Sequence, residues 1–223
     1  MPRTSAPRSA QPRRAQPKPS QKELVRDHLR REIVTGALAP GSDLSEGRVA
    51  ELYGYPAASI RTALQALEHE GLVIVRPRVG TTVHPVTPER TAHALHALRA
   101  VVETAVRIAP PRSRPGRPDA PGTGPRVPGA ADASGIAAFL DLYTGAVERS
   151  ENAYLRRFAS QLAAHLLQAA SALATSGFHH PAATEYARAA ERGDTATMLR
   201  SLRTHFDHAH RLLDPAPVGA EPG

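Results

Sequence analysis

In the stretch "AASIRTALQALEHEG", Arg61 and Gln65 stand four residues apart, on the side away from Ile60, Ala63, Leu64 and Leu67. That spacing puts a guanidinium and an amide on one exposed helix face. Both side-chain types can give paired hydrogen bonds to base edges in a DNA major groove. Arg76 and Arg78 follow in "VIVRPRVG" and suit phosphate contacts, which position a protein on a duplex without reading it. Histidines form a second group. His165 and His205 fall beside the inner seams of two later helices and are read as partly buried, hydrogen-bonded core residues rather than metal ligands. His208 and His210 read as surface residues, and His179 and His180 as loop residues before Pro181. Arg99 precedes Glu103 by four positions, the spacing of a helical ion pair. The 223 residues hold no cysteine, which excludes disulfides and thiolate metal sites. With no nucleophile motif and no glycine-rich phosphate loop, the chain does not read as an enzyme.

The elements that must position these groups follow from periodicity. A helix runs from about Gln21 to Thr35 on the stripe Val25, Leu29 and Ile33, and stops at Gly36. "LAPGSDL" makes a turn and a short extended piece. Ser45 caps a second helix that buries Val49, Leu52 and Tyr53 and ends at Gly54. The helix carrying Arg61 runs over 57–70. "LVIVRPRVGTTVHPV" then reads as two strands joined at Pro77 to Gly80. Two short helices with a tight turn make a helix-turn-helix, and the hairpin beside it makes a wing. The second part is all helical. One helix spans 88–109. Another carries Ile136, Phe139, Leu140, Tyr143 and Val147. The longest carries Leu155, Phe158, Leu162, Leu166, Ala169 and Leu173. A short helix covers 182–192, and the last carries Met198, Leu202, Phe206, Ala209 and Leu213.

The fold class expected is therefore mainly α. A disordered basic arm covers 1–20 and a winged helix-turn-helix domain 21–86. An all-α effector and dimerisation domain covers 87–213, interrupted by a Pro/Gly-rich loop over 110–135, and 214–223 form a disordered tail. Hydrophobic residues make up 41% of the chain but aromatic ones only 4%, with no Trp, so Ala and Leu must do most of the packing. The net charge of +7 is concentrated in the Pro-rich segments; residues 1–20 hold five bases and no acid, enough to attract a polyanion without sequence preference. No apolar run reaches the roughly 20 residues of a membrane span, and the basic N-terminus lacks the apolar stretch of a secretory signal, so a cytoplasmic location is expected.

"LRREIVTGALAPGSDLSEGRVAELYG" and "IRTALQALEHEGLVIVRPRVGTTV" resemble the GntR family of bacterial transcription regulators. "LRAVVE" at 98–103 and "ERGDTATMLRSLRTH" at 191–205 resemble the opening and the end of the ligand domain of its FadR subfamily, the FCD-type domain. The resemblance implies a homodimeric repressor that binds a double-stranded DNA operator and senses a small molecule. It places DNA contacts at Arg48, Ala57, Ala58, Ser59, Arg61, Gln65, Arg76, Arg78, Gly80 and Thr81. The chain departs from the family pattern in two places. The usual arginine of the second helix falls on Gly47, and Ala57 and Ala58 replace an arginine and a threonine used on DNA. The subfamily's divalent-metal ligands, one Asp and three His, fall on Phe139, Tyr143, Ala183 and His205, so neither zinc nor another cofactor is expected. The pocket left would be apolar, lined by Phe139, Leu162, Leu166, Leu202 and Phe206. Arg99, Tyr143, His165 and His205 would be its effector contacts, for a carboxylate or an apolar metabolite. The alternative is a divergent relative with weak or nonspecific DNA binding that acts as an interaction or heterodimerisation module.

Overall fold

The computed structural model describes residues 20–109, 135–172, 177–178 and 180–213. The basic arm and the C-terminal tail, both expected to be disordered, and the Pro/Gly-rich loop lie outside the described residues, save Ser20 and Gly135.

Eight helices and one hairpin follow in the expected order among the described residues: α1 (Gln21–Val34), α2 (Glu46–Tyr53), α3 (Ala57–His69), β1 (Val73–Arg76), β2 (Gly80–Val83), α4 (Pro88–Ile108), α5 (Ile136–Arg149), α6 (Ala153–Ala172), α7 (Pro181–Arg192) and α8 (Thr195–Leu213). Local chemistry sets their ends. Glu23 Oε2 accepts the Ser20 backbone N–H at 2.7 Å at the start of α1. Thr87, Asn152 and Asp194 accept backbone N–H groups at the starts of α4, α6 and α8. Ser45 precedes α2, but its hydroxyl does not cap the helix; it turns back to Asp43 Oδ2 at 3.0 Å.

α1, α2 and α3 pack around Val25, Leu29, Ile33, Val49, Ile60, Leu64 and Leu67, all buried. The antiparallel hairpin pairs Val73 with Val83 and Arg76 with Gly80. The extended piece 41–44 joins its edge, with the Leu44 N–H on the Thr81 carbonyl at 2.7 Å and the Val83 N–H on the Ser42 carbonyl at 2.9 Å. In the helical part α4 packs against α5, α6 and α8, and α7 against α8. Two apolar residues lie elsewhere than their periodicity predicted. Leu52 is 45% exposed and Phe158 is 51% exposed. α6 turns its small residues inward instead, burying Ala159, Ala163, Ala164, Ala169 and Ala170 beside Leu166 and Leu167. An alanine face lets helix axes approach closely, and α6 has neighbours on several sides.

One of those neighbours is the winged helix-turn-helix part itself. Along α6, Gln161 donates to the His69 carbonyl at 3.1 Å, Gln168 to the His84 carbonyl at 3.0 Å and Ser171 to the Thr35 carbonyl at 2.9 Å. His165, on the same stripe, lies 2.8 Å from Arg90 Nη2, and that same nitrogen donates to the Gly71 carbonyl. Arg30 of α1 answers with a bond to the Ser160 carbonyl at 3.2 Å. The two glycines that end α1 and α3 make room for this helix. Gly36 and Gly71 both have positive φ; an added Cβ would meet Ser171 Oγ at 2.7 Å and His165 Nε2 at 3.0 Å, respectively. Gly71 is thus required twice, to reverse the chain after α3 and to admit an imidazole.

The position of His165 carries a pH dependence. Burial, with Arg90 beside it, pushes its pKa down to about 3, against about 6.5 in an unfolded chain. Below pH 6.5 the unfolded chain takes up a proton that the folded chain refuses. Stability is therefore full above pH 6.5 and falls as the pH drops toward 3. The expected loss is about 1–2 kcal/mol between pH 6.5 and 5. Most carboxylates contribute only below that window; Glu103, held down to about 2 by Arg203, Arg99 and Arg107, is one of them. Urea denaturation at pH 5 to 8 checks this: His165→Gln should flatten the wild-type slope, and an equal slope in the variant refutes the assignment.

Candidate nucleic-acid interface and helical core

The side of α3 away from its buried residues is open. Ala57, Ala58, Arg61, Thr62 and Gln65 are exposed on it, with Ser59 at its margin. α3 presents this face because Ile60, Ala63, Leu64 and Leu67 are committed to α1 and α2 on the other. Arg61 is not loose: its Nε reaches Glu46 Oε1 at 2.8 Å and its Nη2 reaches Oε2 at 2.9 Å. These bonds hold the Glu46 carboxyl below the usual carboxylate range and raise the arginine further. Arg48 pairs with Glu51 at 3.0 Å on the exposed side of α2.

At the hairpin tip, Arg76 and Arg78 are exposed and have no ion-pair partner among the described residues. Pro77 leads the turn and the Val79 N–H closes it on the Arg76 carbonyl at 3.1 Å. Arg78 occupies its left-handed position with φ 64°, where glycine or asparagine is usual. A charged residue kept in a strained tip conformation is the sort of outlier that clusters at functional sites. Gly80 begins β2. Thr81, grouped with the DNA contacts by resemblance, is buried at 7% exposure: the alternation of β2 turns Thr81 and Val83 inward together.

The candidate effector residues are not brought together. Tyr143 and His205 meet in the core of the helical part. The Tyr143 hydroxyl lies 2.8 Å from His205 Nδ1, and His205 Nε2 lies 2.7 Å from the Phe178 carbonyl. A carbonyl only accepts, so Nε2 carries the proton and Nδ1 accepts from the phenol. Burial pushes the Tyr143 phenol up, which keeps it a donor. Rings close around the pair: Phe139 is edge-on to His205 at 4.8 Å, and Phe206 and Tyr186 lie 5.1 and 4.8 Å from Tyr143. Leu166 and Leu202 are fully buried on their helices. Leu162 lies elsewhere, on an open groove of about 410 Å³ with Phe158, Val101 and His165. His165 is therefore not a neighbour of His205; it belongs to the junction with the winged helix-turn-helix part. Arg99 does not face the core either. It bonds Glu103 at 3.2 Å and Asp207 at 2.8 Å, tying α4 to α8.

Sequence reasoning missed Glu46, Arg90 and the α6 stripe. The stripe had a signal: Gln161, His165 and Gln168 recur at helical spacing in a helix otherwise rich in Ala and Leu, and Gln168 is only 1% exposed.

A helix-turn-helix with a hairpin wing, carried on an all-α domain, is the class that fold and exposed face define. Residues 21–83 match the family of bacterial regulatory proteins, gntR family. Over 75 residues, 34% of the chain, the sequence is 43% identical to an uncharacterized HTH-type transcriptional regulator in an unstable DNA locus of Streptomyces ambofaciens. That match spans 31% of the length of the curated relative. Two solved structures share the whole fold. A protein from Rhodococcus sp. RHA1 described as a transcriptional regulator GntR is 22% identical, covering 91% of this chain and 99% of its own, with a TM-score of 0.53. E. coli McbR/YncC is 18% identical, covering 88% of this chain and 98% of its own, with a TM-score of 0.59. No described helix is long and apolar enough to cross a membrane.

Proposed function

We propose that the whole chain is a DNA-binding transcription regulator, a homodimeric repressor whose helical part is of the FCD type. The observation that supports it most is the open face of α3, with Arg61 and Gln65 exposed, together with the two exposed arginines of the hairpin tip. In such domains this helix enters the major groove while the flanking elements hold the backbone. Selection of bound duplexes from a randomised pool tests the reading. Arg61→Ala should flatten the preference at one base pair by tenfold or more, while Arg76→Ala and Arg78→Ala should weaken all duplexes alike and make the salt dependence shallower. A pool that yields no motif would favour the second reading, an interaction module with nonspecific DNA binding, which the bare methyl groups of Ala57 and Ala58 support.

The same proposal holds that the helical part works without a divalent metal. Of the four ligand positions implied by the subfamily, Phe139 and Ala183 offer no donor, Tyr143 is a protonated phenol, and both nitrogens of His205 are already bonded. That set does not fit a zinc ion. Elemental analysis of zinc-soaked protein should find no stoichiometric metal; one tightly held zinc per chain, lost in His205→Ala, would restore the metal-dependent mechanism. A small-molecule effector would then have to be recognised by groups other than a bound cation.

A further inference from the structure

Beside the exposed face of α3 stands a carboxylate from another helix. Glu46 is the first residue of α2, and its two oxygens take Nε and Nη2 of Arg61 at 2.8 and 2.9 Å. Both side chains are exposed, at 38% and 65%, so the pair contributes little to folding. What it does is geometric. A guanidinium has two edges that can each offer two parallel N–H groups. The edge formed by Nε and Nη2 is occupied by Glu46. The outer edge, Nη1 with the second hydrogen of Nη2, has no partner among the described residues. Arg61 is thus presented with one edge braced and the other free.

We propose that Glu46 is a positioning residue for base recognition, bracing Arg61 so that its outer edge meets a base pair with two acceptors side by side, as guanine offers with O6 and N7. The proposal rests on the DNA-binding reading above. Its physical basis is a trade between order and charge. An unbraced arginine on an exposed helix loses rotamer freedom when it docks on a base, and it is drawn to whichever phosphate is nearest. Glu46 removes that freedom beforehand and offsets the charge that phosphates attract. In return, it places a carboxylate near a polyanion, which lowers affinity for every duplex.

Removing the carboxylate therefore has two consequences of opposite sign, which a merely structural role would not produce. Full-length wild type, Glu46→Gln, Glu46→Asp, Arg61→Ala and the double variant Glu46→Gln/Arg61→Ala are each bound to the same pool of duplexes with a randomised core. Bound DNA is sequenced, and affinity for an unselected duplex is measured separately. Wild type should enrich a motif containing a G·C position. Glu46→Gln should bind unselected duplex several-fold tighter, yet lose about tenfold of the preference at that position. Glu46→Asp keeps the charge but is one methylene short, so it should lose preference with no gain in unselected binding. The double variant should lose no more preference than Arg61→Ala alone. Base preferences in Glu46→Gln equal to wild type, or sharper, overturn the proposal; sharper ones would make Glu46 a cover that restrains Arg61. A wild type that enriches no motif while binding DNA overturns the regulator reading and takes this assignment with it.

Discussion

Gly71→Ala is expected to destabilise the protein by about 2–5 kcal/mol, more than any exposed substitution. Two costs add. An L-residue at φ +71° costs about 1–2 kcal/mol relative to glycine. The new methyl group would also stand 3.0 Å from His165 Nε2 and 3.2 Å from Cε1, and forcing it in costs about 1–3 kcal/mol. His165 cannot simply swing away, because Arg90 lies against it and bonds the Gly71 carbonyl as well. Urea denaturation should show an earlier midpoint. It should also show the winged helix-turn-helix part beginning to melt apart from the helical part, because the contact broken is one of those that join them. His165→Ala placed on the Gly71→Ala background separates the two costs. It should recover the steric share and leave the backbone share. No recovery would mean that His165 does not occupy the space the glycine leaves.

The second large effect is expected at His205. His205→Ala should cost about 3–5 kcal/mol, from a cavity among aromatic rings and two buried polar groups left without partners. Those groups are the Tyr143 hydroxyl and the Phe178 carbonyl. Tyr143→Phe removes only one bond and keeps the ring, so it should cost about 1–3 kcal/mol. With no Trp in the chain, near-ultraviolet dichroism reads the tyrosines, and the part of the signal that Tyr143→Phe removes follows this cluster during unfolding. A His205→Ala variant as stable as Tyr143→Phe would show that the imidazole adds nothing beyond its hydroxyl contact.

The order and ends of the helices were legible because each carries its own punctuation: Gly36, Gly54 and Gly71 after the first three, Pro88 and Pro181 at the starts of two others, and apolar stripes between. The hairpin was legible from its β-branched run and its proline turn. What sequence could not supply was the partner of each face. Phe158 fits the period of α6 as well as Leu166 does, yet only Leu166 is buried, because alanines rather than large residues fill the narrow gaps beside this helix. His165 and His205 looked alike as histidines at inner positions. One faces the DNA-binding part and the other an aromatic core, a difference set by how α6 and α8 are rotated against their neighbours. Glu46 was invisible as a partner of Arg61 because fifteen residues separate them, and only the turn between α2 and α3 brings them within 3 Å.

The way α6 holds the first domain bears on how such a protein can change over generations. Gln161, Gln168 and Ser171 all grip main-chain carbonyls, those of His69, His84 and Thr35. A carbonyl is present whatever residue carries it. These three bonds therefore place little demand on the side chains of the domain they attach; the joint asks for Arg30, which bonds the Ser160 carbonyl, and for glycine at positions 36 and 71. The exposed face of α3, which makes none of these bonds, can therefore change without disturbing the joint. First domains with different exposed faces would be interchangeable on one helical chassis, provided that each keeps Arg30 and ends its helices in the same two glycines.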